Sequence, residues 1–251
     1  MKDIHPTALV SDKAIIGDDV SIGAFSIIHD NVVVGKGSKI ESYCELGVVN
    51  KFCDDTPLVI GEKSLIRSHS VLYSSSSFGD GLVTGHRVTI RERTTVGKGF
   101  QIGTLGDIQG HCEIGDYVKC HSNVHIGNLS KIGNYVWIFP YVVLTNDPHP
   151  PSHTLLGCEI QDFAVIATMS VILPGVKVCS DTLVGAGSVV GRDVESGSVV
   201  VGNPAKHICS IDKIKLKDGT GGSAYPWRRH FHRGYPEAEV EKWISEFSES
   251  L

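Results

Sequence analysis

A neutral imidazole can take the proton from a hydroxyl or amine as it attacks a carbonyl carbon, and a carboxylate bonded to its other ring nitrogen fixes the tautomer that does so. Of the twelve histidines in this chain, His125 has the spacing for that arrangement. It stands 18 residues after Asp107, and each of the two immediately precedes an isoleucine, Ile126 and Ile108. The neighbour of a core-facing isoleucine points outward in extended chain, so both side chains are expected at the surface. His149 stands between Pro148 and Pro150, a setting that also suits a rigid loop element. His121, Asn123, Asn146 and Asp147 are the nearby polar groups suited to a hydroxylated substrate, whereas His29, His69 and His86 read as surface residues.

These side chains ride on a period of six. From Ile60 the register passes through Ile90, Ile108, Ile126 and Ile138 to Leu144 without a slip; a run from Val10 to Leu46 precedes it and one from Ile160 to Val190 follows, 28 hexads in all. Glycine often follows the aliphatic position, as in Ile22-Gly23 and Ile132-Gly133, and a small or branched residue often sits two places before it. Six fits neither a helix nor a plain alternating strand, but it fits a short strand plus a tight turn, stacked so that neighbouring repeats bury each other's apolar faces. The aliphatic residue and the one two before it are then inward, and the 28 glycines are expected to supply the corners. The register breaks twice, at Gly47 to Leu58 and over 145–159, and such insertions form the loops on which solenoids carry function.

This pattern resembles the left-handed parallel β-helix of the hexapeptide-repeat acyltransferases, over roughly residues 8 to 206. The resemblance implies an all-β solenoid of three hexads per coil, hence about nine coils, with His125 directly above Asp107 at the ~4.8 Å spacing of parallel strands. It implies an acyl-CoA-dependent transferase, with acetyl-CoA as donor, an amino group of a nucleotide-linked sugar as acceptor, a role in surface polysaccharide synthesis, and a homotrimer with Trp137 and Phe139 at the interface. The stretch Thr145-Asn146-Asp147-Pro148-His149-Pro150 is similar to the loop of galactoside and maltose acetyltransferases whose histidine is the general base. His125-Ile126-Gly127-Asn128 is similar to the catalytic stretch of the UDP-N-acetylglucosamine acyltransferases, where the base falls at the position of Asn128. The last coils resemble the coenzyme A end of the family, which places Thr168, Ala186 and Gly191 along the pantetheine arm and Arg192 and Lys206 at the nucleotide phosphates. An amine acceptor that loses its proton on binding needs no protein base.

Composition narrows the alternatives. A net charge of -5 argues against nucleic acid, no apolar run reaches the length of a membrane span, and the amino terminus lacks a secretory pattern, so a cytoplasmic protein is expected. Seven cysteines without a CxxC pair suggest neither a disulfide framework nor a zinc knuckle, and Cys44, Cys112 and Cys120 fall on inward phases. Residues 1–206 read as the β-helix; 207–251 read as an extension, with a flexible linker at 218–223 and a helix from Pro236-Glu237 to about Phe247. In the extension, docking as a cap competes with arginine contacts from Arg228, Arg229 or Arg233 to a phosphate. Three other functions fit the coil: a sugar O-acetyltransferase, a gamma carbonic anhydrase-like lyase with zinc on His86, His121 and His125, and a non-catalytic scaffold. No metal is expected, because gaps of 35 and 4 residues do not bring those three histidines to one phase.

Overall fold

A computed structural model describes residues 2–248. Two- and three-residue strands wind into a triangular prism with three sheets, of 12, 10 and nine strands, beginning at Asp3–Ile4, Leu9–Val10 and Ile15–Ile16 respectively. Within each sheet the strands of the coils pair in parallel with the strand one turn away, as Ile90 with Ile108 and Ile108 with Ile126 in the second sheet; the twelfth strand of the first sheet is the exception. Ten full coils form, and Ser198–Gly202 begins an eleventh. The expectation of about nine coils omits the first strand, whose Ile4 stands in phase six residues before Val10, and the last turn, through Val194, which breaks the period.

The interior is one continuous apolar column from Val20 to Val200. It holds the aliphatic position of each hexad and, two places earlier, residues such as Val88, Val124 and Val136. Where that earlier position is serine, burial of the hydroxyl is offset by a hydrogen bond to a carbonyl three residues back, from Ser70 to Arg67 and from Ser130 to Gly127, each at 2.7 Å. The corners differ from expectation. Eighteen of the described non-glycine residues, among them Phe25, Tyr43, Leu105, Asn123 and Tyr141, hold the left-handed conformation with φ between 52° and 67°. This conformation costs an L-residue ~1 kcal/mol or more, met here by the stacking of coil on coil. Glycine is needed instead just after the aliphatic residue: a Cβ on Gly23 would sit 2.6 Å from the backbone nitrogen of Ser42 on the next coil.

Both insertions leave the same corner of the prism, between the second and third sheets. One joins Glu45–Val48 to Leu58–Ile60, and the other joins Val143–Leu144 to Glu159–Ile160. Past the coils, Ala205–Ser210 folds back antiparallel on Ser198–Gly202, so the boundary expected at 206 falls inside a hairpin. Residues 218–223 are the turn of a second small hairpin, closed by Leu216 N–H to the carbonyl of Gly222, rather than a free linker. The chain ends in α1, Glu237–Ser248, whose Trp243 packs with Trp227 and Tyr235 on Tyr135 and Phe163 of the coils. The extension thus docks as a cap. Trp137 borders this cap, donating from its indole nitrogen to the Tyr235 hydroxyl at 2.8 Å.

Candidate active site

His125 and Asp107 are directly paired residues of neighbouring strands in the second sheet. The imidazole Nδ1 donates to Oδ2 of Asp107 at 2.9 Å, which selects the tautomer with an unprotonated Nε2. Gln109, two residues along the same strand direction, donates to the same carboxylate oxygen. Partial burial pushes the Asp107 carboxyl up, but the hydrogen bonds from His125 and Gln109, with the nearby charges of His125 and Arg91, outweigh it and leave the group below its ordinary value. The carboxylate is therefore ionised through the neutral range, and His125 Nε2 has no hydrogen-bond partner among the described residues.

His125 borders a cleft of about 540 Å³ at the corner that carries both insertions. Phe52 of the first loop and Asn146 and Leu155 of the second stand at its sides, with Arg91, Glu92 and Asn128 on the coils between. Glu92 is buried, its carboxylate accepting from Asn50 at 2.8 Å and from the Arg91 guanidinium at 3.1 Å, so it ties the first loop to the cleft wall. Asn128 donates to the carbonyl of Gly110 at 2.9 Å. Arg91, Glu92 and Gln109 were not nominated from sequence. The 18-residue step that links Asp107 to His125 also links Arg91 to Gln109 and Glu92 to Gly110, so they were within reach of the same reasoning.

The other nominated residues scatter. His149 is exposed on the second loop and outside the cleft lining; its backbone N–H donates to Asp147 at 3.0 Å. Asp147 also accepts from the backbone N–H and the hydroxyl of Ser152, at 2.9 and 2.7 Å, and so holds the loop's turn. Asn123 is a left-handed corner residue at the other edge of the second sheet. His121 follows the first sheet, stacked on Phe139 with ring centroids 4.8 Å apart, and burial lowers its pKa. Because His86 and His121 line a groove on the first sheet while His125 faces the cleft, the three do not converge. Among the described residues no group of three or more histidines, cysteines and carboxylates comes together to hold a metal. The proposed donor set also divides: Thr168 and Ala186 lie at the corner between the first and second sheets, Gly191 and Arg192 at the corner between the second and third, and Lys206 on the final hairpin.

A parallel prism of six-residue repeats with a histidine–carboxylate pair on its outer face defines a hexapeptide-repeat β-helix protein. The bacterial transferase hexapeptide family matches over residues 13–47. An acyl-[acyl-carrier-protein]–UDP-N-acetylglucosamine O-acyltransferase from Campylobacter concisus is 28% identical over 225 residues, covering 86% of this chain and 76% of that protein. The bifunctional protein GlmU of Clostridium botulinum is 27% identical over 195 residues, 78% of this chain but only 40% of GlmU. Among solved structures, the UDP-N-acetylglucosamine acyltransferase of Arabidopsis superposes with a TM-score of 0.71 at 20% identity, covering 95% of this chain and 79% of that one. The Bacteroides fragilis counterpart superposes with a TM-score of 0.54 at 17% identity, covering 94% and 80%. The chain has the left-handed parallel β-helix fold of these structures.

Proposed function

We propose that the protein is an acyltransferase acting on a nucleotide-linked sugar, with His125 as general base and Asp107 as the group that orients it. The observation that carries this reading is the 2.9 Å bond from His125 Nδ1 to Asp107 at the edge of a cleft bracketed by two loops. Nε2 takes the proton from the acceptor as its oxygen or nitrogen attacks the thioester carbonyl. The C–S bond then breaks and the proton passes to the departing thiolate. The relatives' activity as UDP-N-acetylglucosamine acyltransferases supports the substrate class. The donor in this reading is acetyl-CoA and the acceptor an amino group of a nucleotide sugar used in surface polysaccharide synthesis, within a homotrimeric cytoplasmic enzyme. Transfer to a hydroxyl is the second reading, favoured by the O-acyltransferase named among the relatives and by the oriented base, which a hydroxyl needs more than an amine does.

The test is thiol release from acetyl-CoA and from a longer acyl thioester, with UDP- and dTDP-linked amino sugars and their hydroxyl counterparts as acceptors. Acceptor-dependent release that collapses in His125→Ala and persists in His149→Ala supports the assignment. Release that survives His125→Ala removes His125 as base, and absence of release with every pair removes the transferase reading.

A further inference from the structure

A second groove runs along the first sheet, on a different side of the prism from His125. Its floor is the in-register ladder Val83, Gln101, Lys119 and Trp137 on successive coils, and its roof is the returning tail from Phe231 to Gly234. Arg67, Lys119 and Arg233 line a space of about 580 Å³ that, among the described residues, no carboxylate borders. In a chain of net charge -5, three cations gathered without an acidic partner are a local reversal of sign. Lys119 is 92% buried, at 8% exposure, yet it makes no ion pair among the described residues. Its ammonium has one hydrogen bond, to the carbonyl of Gly234 at 3.3 Å, and lies over the rings of Trp137 and Tyr235 at 5.1 and 4.3 Å. Arg67 spends one guanidinium bond on the Thr84 carbonyl at 2.9 Å, and Arg233 only leans over Phe231 at 5.7 Å. Burial, and then the charge of Arg233, lower the Lys119 pKa, as happens when a buried cation faces another without a counter-ion. At the groove's edge the Glu41 carboxylate stands 4.0 Å from His86.

The groove continues into an apolar trough of about 350 Å³ formed by Phe139, Val165, Tyr225 and Trp227, the two spaces sharing His121, Trp137, Phe231 and Arg233. A buried, under-bonded ammonium flanked by two arginines suits a diphosphate, and a ring-lined trough beside it suits a planar base. We propose that this groove binds the nucleoside diphosphate portion of a substrate, the phosphates meeting Lys119, Arg67 and Arg233 and the base lying among Trp137, Phe139 and Phe231. The assignment rests on the acyltransferase reading for the identity of that substrate, since both a nucleotide sugar and coenzyme A carry such a group.

Calorimetric titration of the full chain with UDP, ADP and pyrophosphate tests it, on wild type, Lys119→Met and Arg233→Gln, with thermal melts to show that each variant folds. Arg233 is exposed, so its replacement leaves folding intact even if the buried Lys119 does not tolerate change. At least one nucleotide is expected to bind more tightly than pyrophosphate and to lose about tenfold or more in affinity in Arg233→Gln and in folded Lys119→Met. Preference for UDP identifies the acceptor's nucleotide, and preference for ADP identifies the donor's. Binding unchanged in Arg233→Gln and in folded Lys119→Met, binding of pyrophosphate as tight as that of either nucleotide, or no binding overturns the groove. Acyl transfer measured separately distinguishes the two failures: transfer without groove-dependent binding removes only the groove, and groove-dependent binding without transfer removes only the transferase.

Discussion

At the scale of single residues, the prism turns an 18-residue spacing into a hydrogen bond, because one coil of three hexads brings outward positions 107 and 125 into direct pairing. His125→Ala is expected to lower kcat by about 10²- to 10⁴-fold, the usual worth of a positioned base. Asp107→Asn should cost less and leave substrate KM near wild type, since it disturbs the tautomer and not the cleft. The Asp107 carboxyl is held below its ordinary value, so its contribution to stability is fully present above the unfolded value of about 3.9 and is lost as pH falls through the lower folded value. Acid titration of wild type against Asp107→Asn checks this: the difference between the two should vanish only below that range. A constant offset down to the most acid pH would contradict it. His149, a candidate through the resemblance of its loop to that of the galactoside and maltose acetyltransferases, is exposed on a loop whose turn Asp147 and Ser152 close.

Among the elements, the cap is the one most open to measurement. All three tryptophans of the chain, Trp137, Trp227 and Trp243, lie where α1 and the preceding tail dock, so intrinsic emission reads docking and little else. Arg228 is nearly buried there, paired with Asp181 and with Glu246 at 2.7 Å, and stacked over Phe163 at 4.1 Å. Arg228→Met should loosen the cap by about 1–3 kcal/mol, below the usual cost of breaking a buried pair because both carboxylates are partly exposed. A red-shifted emission with unchanged β-sheet circular dichroism is the expected outcome; an unshifted emission would show that the rings alone hold the cap. Glu239 accepts from the Tyr135 hydroxyl at 2.6 Å, and that bond, outweighing burial and joined by Lys242 and Lys98, keeps its pKa low. Its hold on the cap is therefore present above the ordinary glutamate value and lost as pH drops through the lower folded one, an acid-induced red shift that Glu239→Gln should remove.

For the whole molecule, stacking sets both the stability and the outer surface. Ile126→Ala empties a fully buried site in the middle of the column and is expected to cost about 2–5 kcal/mol, seen as a lower Tm. The corner between the first and second sheets exposes Phe25, Tyr43, Leu105, Tyr141 and Met169 in one line, an edge suited to meeting another prism in the proposed trimer. Light scattering on wild type should give three times the chain mass, and Leu105→Asp with Tyr141→Asp should reduce it; a monomeric wild type removes the trimer. The coil, its inward residues and the stacking of Asp107 under His125 were legible in the sequence because they follow from a short fixed period that local chain geometry enforces. The non-glycine corners were not legible, since contact between coils, not the turn alone, offsets their strain. Neither was the meeting of Phe52 with Asn146 and Leu155 around one cleft, nor that of Lys119 with Arg233 under the tail. Those contacts join segments more than 90 residues apart, and only winding the chain into a prism and folding its end back over one face decides which of them touch.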